Sequence, residues 1–153
     1  MPAQSAVTPD ELAALLQRVD ESASAYMRGE VRRYLTLVQP VNDCTLMPPT
    51  GGGPIRDHDA SDEAIEATSR FFQNGDATFQ LTQSYVSTDL VVLAGVERQH
   101  GEVGGTPDQD WSLRVTLVFR REGANWRLVH RHADPLVHAI SLEQAAALAR
   151  GSA

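Results

Sequence analysis

The stretch of sequence that decides the fold covers residues 113–135 and reads LRVTLVFRREGANWRLVHRHADP. Apolar side chains occupy every second position of its first part: Leu113, Val115, Leu117 and Phe119. This period of two is that of a β-strand with one buried face. The four residues 122–125 (EGAN) are typical of a tight turn, and a second strand is predicted to begin at Trp126. The stretch therefore predicts two long antiparallel strands joined by a hairpin turn.

Two more strands are predicted upstream of this hairpin. From Ala77 onward, Phe79, Leu81 and Tyr85 are expected on one face of a strand. The run 90–96 is apolar at almost every position, so both of its faces should be covered. The glycine-rich segment 101–107 connects this run to the hairpin. Together the four strands predict an antiparallel meander.

Helical patterns fill the N-terminal half of the chain. The first helix begins with a capping hydroxyl, a proline at its first position and a glutamate two residues later, all of which favour a helix start. A short strand and a Pro/Gly-rich loop over 47–54 separate the second helix from the third. The predicted helices run from Thr8 to Gly29, from Val31 to Pro40, from Ser61 to Asn74-Gly75, and over 141–150.

Helices followed by a meander indicate an α+β fold with the helices on one face of the sheet. We expect a single domain over residues 1–153, with residues 1–7 flexible. The available helices can shield only one face, although the strand over 90–96 needs cover on both. The sequence therefore predicts a homodimer in which a second subunit packs on the convex face of the sheet.

Composition excludes several classes of protein. The formal net charge is −7 and the arginines are scattered, so nucleic acid is not expected as a partner. No apolar run approaches the roughly 20 residues that span a bilayer, and residues 1–7 lack the pattern of a signal peptide. We therefore expect no membrane association and a cytoplasmic location. Cys44, the single cysteine, is assigned no role.

The segments 113–121 and 126–135, with Gly123 between them, resemble the last two strands of SnoaL-like proteins in the nuclear transport factor 2-like superfamily. The order of Trp126, an aliphatic pair and two histidines is also similar to the association domain of calcium/calmodulin-dependent kinase II. The resemblance implies a cone-shaped, curved antiparallel sheet with N-terminal helices on its concave face and an internal pocket. Relatives include isomerases, cyclases, dehydratases, hydrolases and non-catalytic assembly modules, and the fold does not choose among them.

Candidate catalytic groups lie near the end of the last strand. Trp126, Leu128, His130, His132 and Asp134 alternate along it and are expected to face the core. His132 could move a proton near neutral pH, with Asp134 holding its ring. The alternative is that both histidines are structural and bonded to neighbouring polar groups, while Asp134 caps the turn at Pro135.

The candidate pocket residues are Tyr34, Met47, Phe72, Glu97, Trp126 and His130. If Glu97 faces inward, a carboxylate in a dry pocket would have a raised pKa and could act as a base. The alternative is an exposed carboxylate at a strand end, paired with Arg98 or Arg114. For Tyr34, the alternative to ligand contact is ordinary core packing.

Ketosteroid isomerases, to which the family is also related, carry a proton-shuttling carboxylate where this chain has Pro48. The hydrogen-bonding tyrosine of their first helix falls near Ser22 or Ala23, with Tyr26 one turn away. Both departures disfavour steroid isomerisation. The acid/base aspartate of SnoaL-like cyclases has Asp134 as its nearest counterpart.

No cofactor and no metal are expected. Histidines two residues apart, such as His130 and His132, can share one metal ion, but nothing in the sequence supplies a third ligand. The run Asp57-His58-Asp59 is more simply a solvated turn. Two functions stay open: a pocket for a small hydrophobic molecule, with cofactor-free acid/base isomerase, cyclase or lyase chemistry, and a non-catalytic module for ligand binding or oligomerisation.

Overall fold

The computed structural model describes residues 6–56 and 60–152, which form four helices and six strands. The helices are α1 (Pro9–Met27), α2 (Val31–Val38), α3 (Asp62–Phe71) and α4 (Leu142–Arg150). The strands are β1 (Thr45–Met47), β2 (Phe72–Val86), β3 (Leu90–Val103), β4 (Gln109–Asp110), β5 (Leu113–Glu122) and β6 (Asn125–Asp134). The run Asp57-His58-Asp59 and most of the segment expected to be flexible lie outside the described residues.

The predicted helix starts are confirmed by their caps. Thr8 and Glu11 form a reciprocal capping box at the start of α1, and Ser61 accepts from the amide of Ala64 at the start of α3. The predicted end of α3 is wrong: the helix stops at Phe71, and Phe72 already pairs with Val103 of β3. The extended pairing with β3 outweighs the helical pattern that continues locally, so Asn74 and Gly75 form a bulge within β2 rather than a helix end.

The strands form one open sheet in the order β1-β6-β5-β3-β2, with β4 added beside β3. The meander of β2, β3, β5 and β6 is antiparallel, as predicted. The short strand β1 runs parallel to β6, so the sheet is mixed rather than wholly antiparallel. The α+β fold with helices packed on the concave face of the sheet is confirmed.

The core lies between α1, α2 and the inner, concave face of the sheet. It contains the alternating side chains that the sequence pattern selects on β3 and β5, together with the apolar stripe of α1. Its largest fully buried members are Phe119, Leu15, Met27, Leu93 and Leu128. None of the described helices covers the opposite, outer face of β3 and β5, which remains half-buried at Val92, Ala94, Val96 and Val118.

Two bulges change which face the side chains occupy. In β2, Leu81 lies opposite Gly95 and Gln83 opposite Ala94, so Thr82 is an extra residue. In β6, Leu128 lies opposite Phe119 and His130 opposite Val118, so Val129 is an extra residue. Each insertion moves every later side chain to the other face of the sheet. Tyr85 therefore lies on the outer face, and the prediction that it shares a face with Phe79 and Leu81 is wrong.

The C-terminal helix α4 follows the prediction for residues 141–150 and has a capping box at Ser141. It buries none of its nine residues, and Leu142 is almost fully exposed. Within the described part of the chain, no helix is both long enough and apolar enough to cross a membrane.

Candidate functional site

An ion pair lies on the inner face of the sheet, where apolar side chains dominate. Because the bulge at Val129 reverses the faces of β6, Arg131 points inward and meets Glu97 of β3. The guanidinium nitrogens Nη1 and Nη2 donate to Oε1 and Oε2 of Glu97 at 2.6 and 2.9 Å. The two side chains are only 20% and 6% exposed, which makes this a bidentate pair largely removed from water.

The carboxylate of Glu97 stabilises the charged form of Arg131. Burial disfavours the charged form of Arg131, but the charge of Glu97 and its hydrogen bonds outweigh that effect and raise the pKa of the guanidinium. Arg131 is therefore a permanent cation.

Two tyrosines lie close enough to the ion pair to interact with both of its charges. Tyr26 comes from α1 and Tyr34 from α2, and their ring centroids lie 4.9 Å apart in an edge-on arrangement. Phe72 packs against Tyr26 with centroids 4.6 Å apart. Burial raises the pKa of Tyr34 to about 12 and also raises the pKa of Tyr26. Both phenols are therefore neutral hydrogen-bond donors at physiological pH.

The cluster of Tyr26, Tyr34, Glu97 and Arg131, which we call the inner polar cluster, has more donors than acceptors. A guanidinium carries five N–H donors, and Glu97 engages two of them. Among the described residues, neither tyrosine hydroxyl has a hydrogen-bond partner, and no fully buried side-chain nitrogen or oxygen lacks one. The free donors therefore face space that solvent or a ligand oxygen can reach.

A small cavity adjoins the cluster on the side of Tyr34. Its volume is about 20 Å³, which is room for about one water molecule. It is lined by Tyr34, Leu35, Val38, Pro40, Cys44, Leu46 and Leu128. Its walls are almost wholly apolar, so a larger guest would have to widen it by moving side chains.

Three of the candidate pocket residues come together at the inner polar cluster: Tyr34, Phe72 and Glu97. Trp126 instead belongs to the hydrophobic core, and the guanidinium of Arg121 lies 4.5 Å from its ring centroid. Met47 and His130 lie on the outer face of the sheet, away from the cluster. Glu97 faces inward, as one hypothesis required, but it is an ion-paired anion rather than an isolated base.

The prediction that His130, His132 and Asp134 face the core is wrong, because the bulge at Val129 places all three on the outer face. His130 Nδ1 lies 2.7 Å from the Thr45 hydroxyl, and His132 is exposed. A catalytic role for His132 and Asp134 stays a prediction, and it would have to be exercised on that outer face.

Asp134 is held by two other contacts. It accepts from Arg114 Nε and Nη2 at 2.8 and 2.9 Å, and from the amide of Leu136 at 2.9 Å. The hydrogen bonds from Arg114 hold the pKa of Asp134 below its usual range. The alternative interpretation, in which Asp134 caps the turn after β6, agrees with the contact to Leu136.

Sequence reasoning missed Arg131 and gave Tyr26 no part in the site. The signal for Arg131 was Glu97 itself, since a carboxylate on the buried side of an apolar strand requires a cation nearby. No three His, Cys, Asp or Glu side chains of the described residues are grouped as metal ligands.

The fold and this site define an α+β domain with helices closing the concave side of an open sheet over a polar cluster. Solved structures of the nuclear transport factor 2-like class have the same architecture. A candidate scytalone dehydratase from Novosphingobium aromaticivorans matches with a TM-score of 0.66 and 14% identity, covering 86% of this chain and 96% of that one. A candidate dehydratase of the NTF2-like family from Streptomyces avermitilis matches with a TM-score of 0.63 and 18% identity, covering 86% and 100%.

A candidate calcium/calmodulin-dependent protein kinase II association domain from Xanthomonas campestris also matches, with a TM-score of 0.59 and 18% identity over 91% of this chain and 99% of that one. At these identities the likeness shows the fold alone. No curated protein matches the chain at a significant level. The family model of the SnoaL-like domain matches residues 15–137, and the chain belongs to that family.

Proposed function

We propose that this protein binds a small molecule with a hydrophobic body and an oxygen acceptor, held between α1, α2 and the inner face of the sheet. The observation that carries the proposal is the inner polar cluster: a desolvated Glu97–Arg131 pair beneath two tyrosine hydroxyls that have no hydrogen-bond partner among the described residues. Donors that face accessible space beside apolar walls favour a ligand that brings an oxygen acceptor.

The chemistry of the cluster selects the kind of ligand. Glu97 neutralises Arg131, so the site carries no large net charge, yet its free N–H and O–H groups all donate. A carbonyl, enolate or carboxylate oxygen satisfies such donors. The rings of Tyr26 and Phe72 offer an aromatic wall to the rest of the ligand.

A ligand that enters beside Tyr34 would have to widen the cavity there, which holds only about one water. The element best suited to move is α3, which buries a single residue, Ile65, and leads directly into Phe72. Moving α3 would expose the aromatic wall at the cost of little buried surface.

If the protein is an enzyme, the cluster supports cofactor-free chemistry on a carbonyl substrate. Neutral phenols and a fixed guanidinium would polarise the carbonyl and stabilise negative charge that develops on its oxygen. An isomerase, cyclase or lyase reaction would suit this arrangement. Glu97 cannot serve as a free base while Arg131 holds both of its oxygens.

The test is ligand binding measured by NMR and calorimetry with a panel of aromatic and alicyclic ketones and carboxylates. Tyr34→Phe removes only the hydroxyl. We expect it to lower the binding affinity of the compounds by about tenfold, which corresponds to the loss of one hydrogen bond of about 1.4 kcal/mol. Tyr85→Phe is the matched control, since Tyr85 is 61% exposed on the outer face. The proposal fails if no compound binds, or if the two variants bind equally well.

A second function, assembly through the outer face, is favoured by a separate observation. Apolar side chains on the outer face of β2, β3 and β5 form a patch that no helix covers: Tyr85, Val92, Ala94, Val96 and Val118. We infer that a second copy of the chain covers this outer apolar patch in a homodimer.

Sedimentation or light scattering would measure the oligomeric state directly. We expect a dimer that Ala94→Glu converts to a monomer, because a charge at the centre of the outer apolar patch would be desolvated in the dimer. Gln80→Glu, at the rim of the same face, should leave the dimer intact. A monomeric wild-type protein would exclude this function without affecting the ligand site.

A further inference from the structure

His130 and His132 of β6 lie outside the inner polar cluster. On the outer face of the sheet, Met47 lies next to them and could supply a third metal ligand. The strand β1 lies at the edge of the sheet and pairs in parallel with β6, with Thr45 opposite His130 and Met47 opposite His132. Because all four share the outer face, their side chains project to the same side. The sequence alone could not supply this third donor, since Met47 and His132 are 85 positions apart.

The spacing of these side chains suits a single metal ion. Neighbouring strands lie about 4.8 Å apart, and residues two apart on one strand are about 6.7 Å apart. Imidazole and thioether side chains are long enough to converge on one point from such positions. Met47 is 40% exposed, and His132 is exposed, so an ion can reach both from solvent.

A hydrogen bond of 2.7 Å between the Thr45 hydroxyl and Nδ1 of His130 orients one of the ligands and leaves Nε2 for another partner. To bind a metal through Nε2, His130 must donate from Nδ1 to the Thr45 oxygen. Metal-binding histidines are commonly oriented in this way, by a hydrogen bond at the ring nitrogen that does not bind the metal.

We propose that Met47, His130 and His132 form a binding site for a soft monovalent metal ion of the copper(I) type. A thioether sulfur is a soft ligand that selects copper(I), and imidazole also binds copper. The neighbouring charges on this face, Arg114 and Asp134, neutralise each other in their bidentate pair. A thioether donor favours a soft, singly charged ion over a hard divalent one.

The site lies beside the outer apolar patch rather than within it. The patch occupies β2, β3 and β5, whereas Met47 is on the edge strand at the other side of the sheet. The proposal is independent of the inner polar cluster and of the ligand proposed there.

Silver(I) is a redox-stable probe for this chemistry, and the full chain can be titrated with silver nitrate in chloride-free buffer. The variant Cys44→Ala serves as the background for every measurement, because a thiol would compete for silver. Calorimetry should give one tight site per chain, and NMR should show the largest shifts at the ring protons of His130 and His132 and at the Met47 methyl group. Because a proton and a metal ion compete for the same imidazole nitrogen, acid should weaken the binding.

Met47→Leu keeps the apolar volume and removes the sulfur, so we expect it to weaken silver binding by roughly tenfold or more. We expect a loss of the same size for His132→Ala. His138→Ala, an exposed histidine beyond β6, is the matched control and should bind like the background. Circular dichroism confirms that each variant is folded. The proposal is overturned if Met47→Leu binds as tightly as the background, or if the Cys44→Ala background binds no silver. Anaerobic competition for copper(I) against a chromophoric chelator should rank the variants in the same order, and a different order would also overturn it.

Discussion

Replacing Glu97 by Gln should destabilise the fold far more than its local volume change suggests. The substitution leaves the guanidinium of Arg131 charged and only 20% exposed, without its counter-ion. Breaking a buried ion pair by removing one partner costs about 3–5 kcal/mol, because the remaining charge is uncompensated. For a chain of 153 residues the unfolding entropy corresponds to about 3 °C per kcal/mol, so the melting temperature should fall by roughly 9–15 °C.

The matched control is Asp134→Asn on the outer face of the same sheet. Its partner Arg114 also binds both carboxylate oxygens, but the two side chains are 55% and 28% exposed. An ion pair in water contributes about 0–1 kcal/mol, so this variant should unfold within a few degrees of wild type. Both ion pairs are bidentate, and they differ strongly in burial.

Urea unfolding followed by circular dichroism, together with thermal melts, measures both variants. The double variant Glu97→Gln/Arg131→Met should recover much of the lost stability, because it removes the stranded charge and replaces it with an apolar side chain. The reasoning is refuted if Glu97→Gln costs no more than Asp134→Asn. It is also refuted if the double variant is less stable than Glu97→Gln alone.

Two further predictions concern a glycine between α1 and α2 and a histidine of β3. Gly29→Ala should cost about 2–5 kcal/mol in urea unfolding, because Gly29 has φ +80° and an added Cβ would lie 2.4 Å from the carbonyl oxygens of Ser69 in α3 and Phe72 in β2. Gly123→Ala, with φ +62° and open space around it, should cost only about 1–2 kcal/mol, and equal costs would contradict the close approach. The hydrogen bond and charge of Asp108 raise the pKa of His100, so NMR titration should place its midpoint above the ordinary value of about 6.5, and Asp108→Asn should lower it. Because folding raises the pKa of His100, its contact with Asp108 stabilises the fold at acidic pH, and this stabilisation is lost as the pH rises through the folded-state pKa. An unchanged titration midpoint of His100 in Asp108→Asn would refute the assignment.

Most of the fold could be predicted from the sequence because each element carries its own local signal. The caps at Thr8 and Ser61 mark helix starts, and the alternation from Leu113 to Phe119 marks a strand with one buried face. The boundary between α3 and β2 could not be predicted in this way. Phe72 continues the helical pattern, and its pairing with Val103 depends on a residue 31 positions away.

The candidate site could not be predicted because it depends on a β-bulge, and an alternating pattern of apolar residues does not reveal a bulge. In the stretch WRLVHRHAD, Trp126 and Leu128 assign the inner face correctly, and the same alternation then predicts inward histidines. The extra residue Val129 moves all later side chains of β6 to the opposite face. The inner face therefore holds the guanidinium of Arg131 instead of the imidazoles of His130 and His132.

That exchange decides what chemistry the interior can perform. With His132 inside, the cluster would hold a group that gains and loses a proton near neutral pH. With Arg131 inside, the guanidinium stays charged and the phenols stay protonated, while both oxygens of Glu97 accept hydrogen bonds from Arg131. The ligand site proposed for the interior would therefore bind and polarise an oxygen rather than carry protons. A substrate that reacts there would have to receive its proton from water or from its own functional groups.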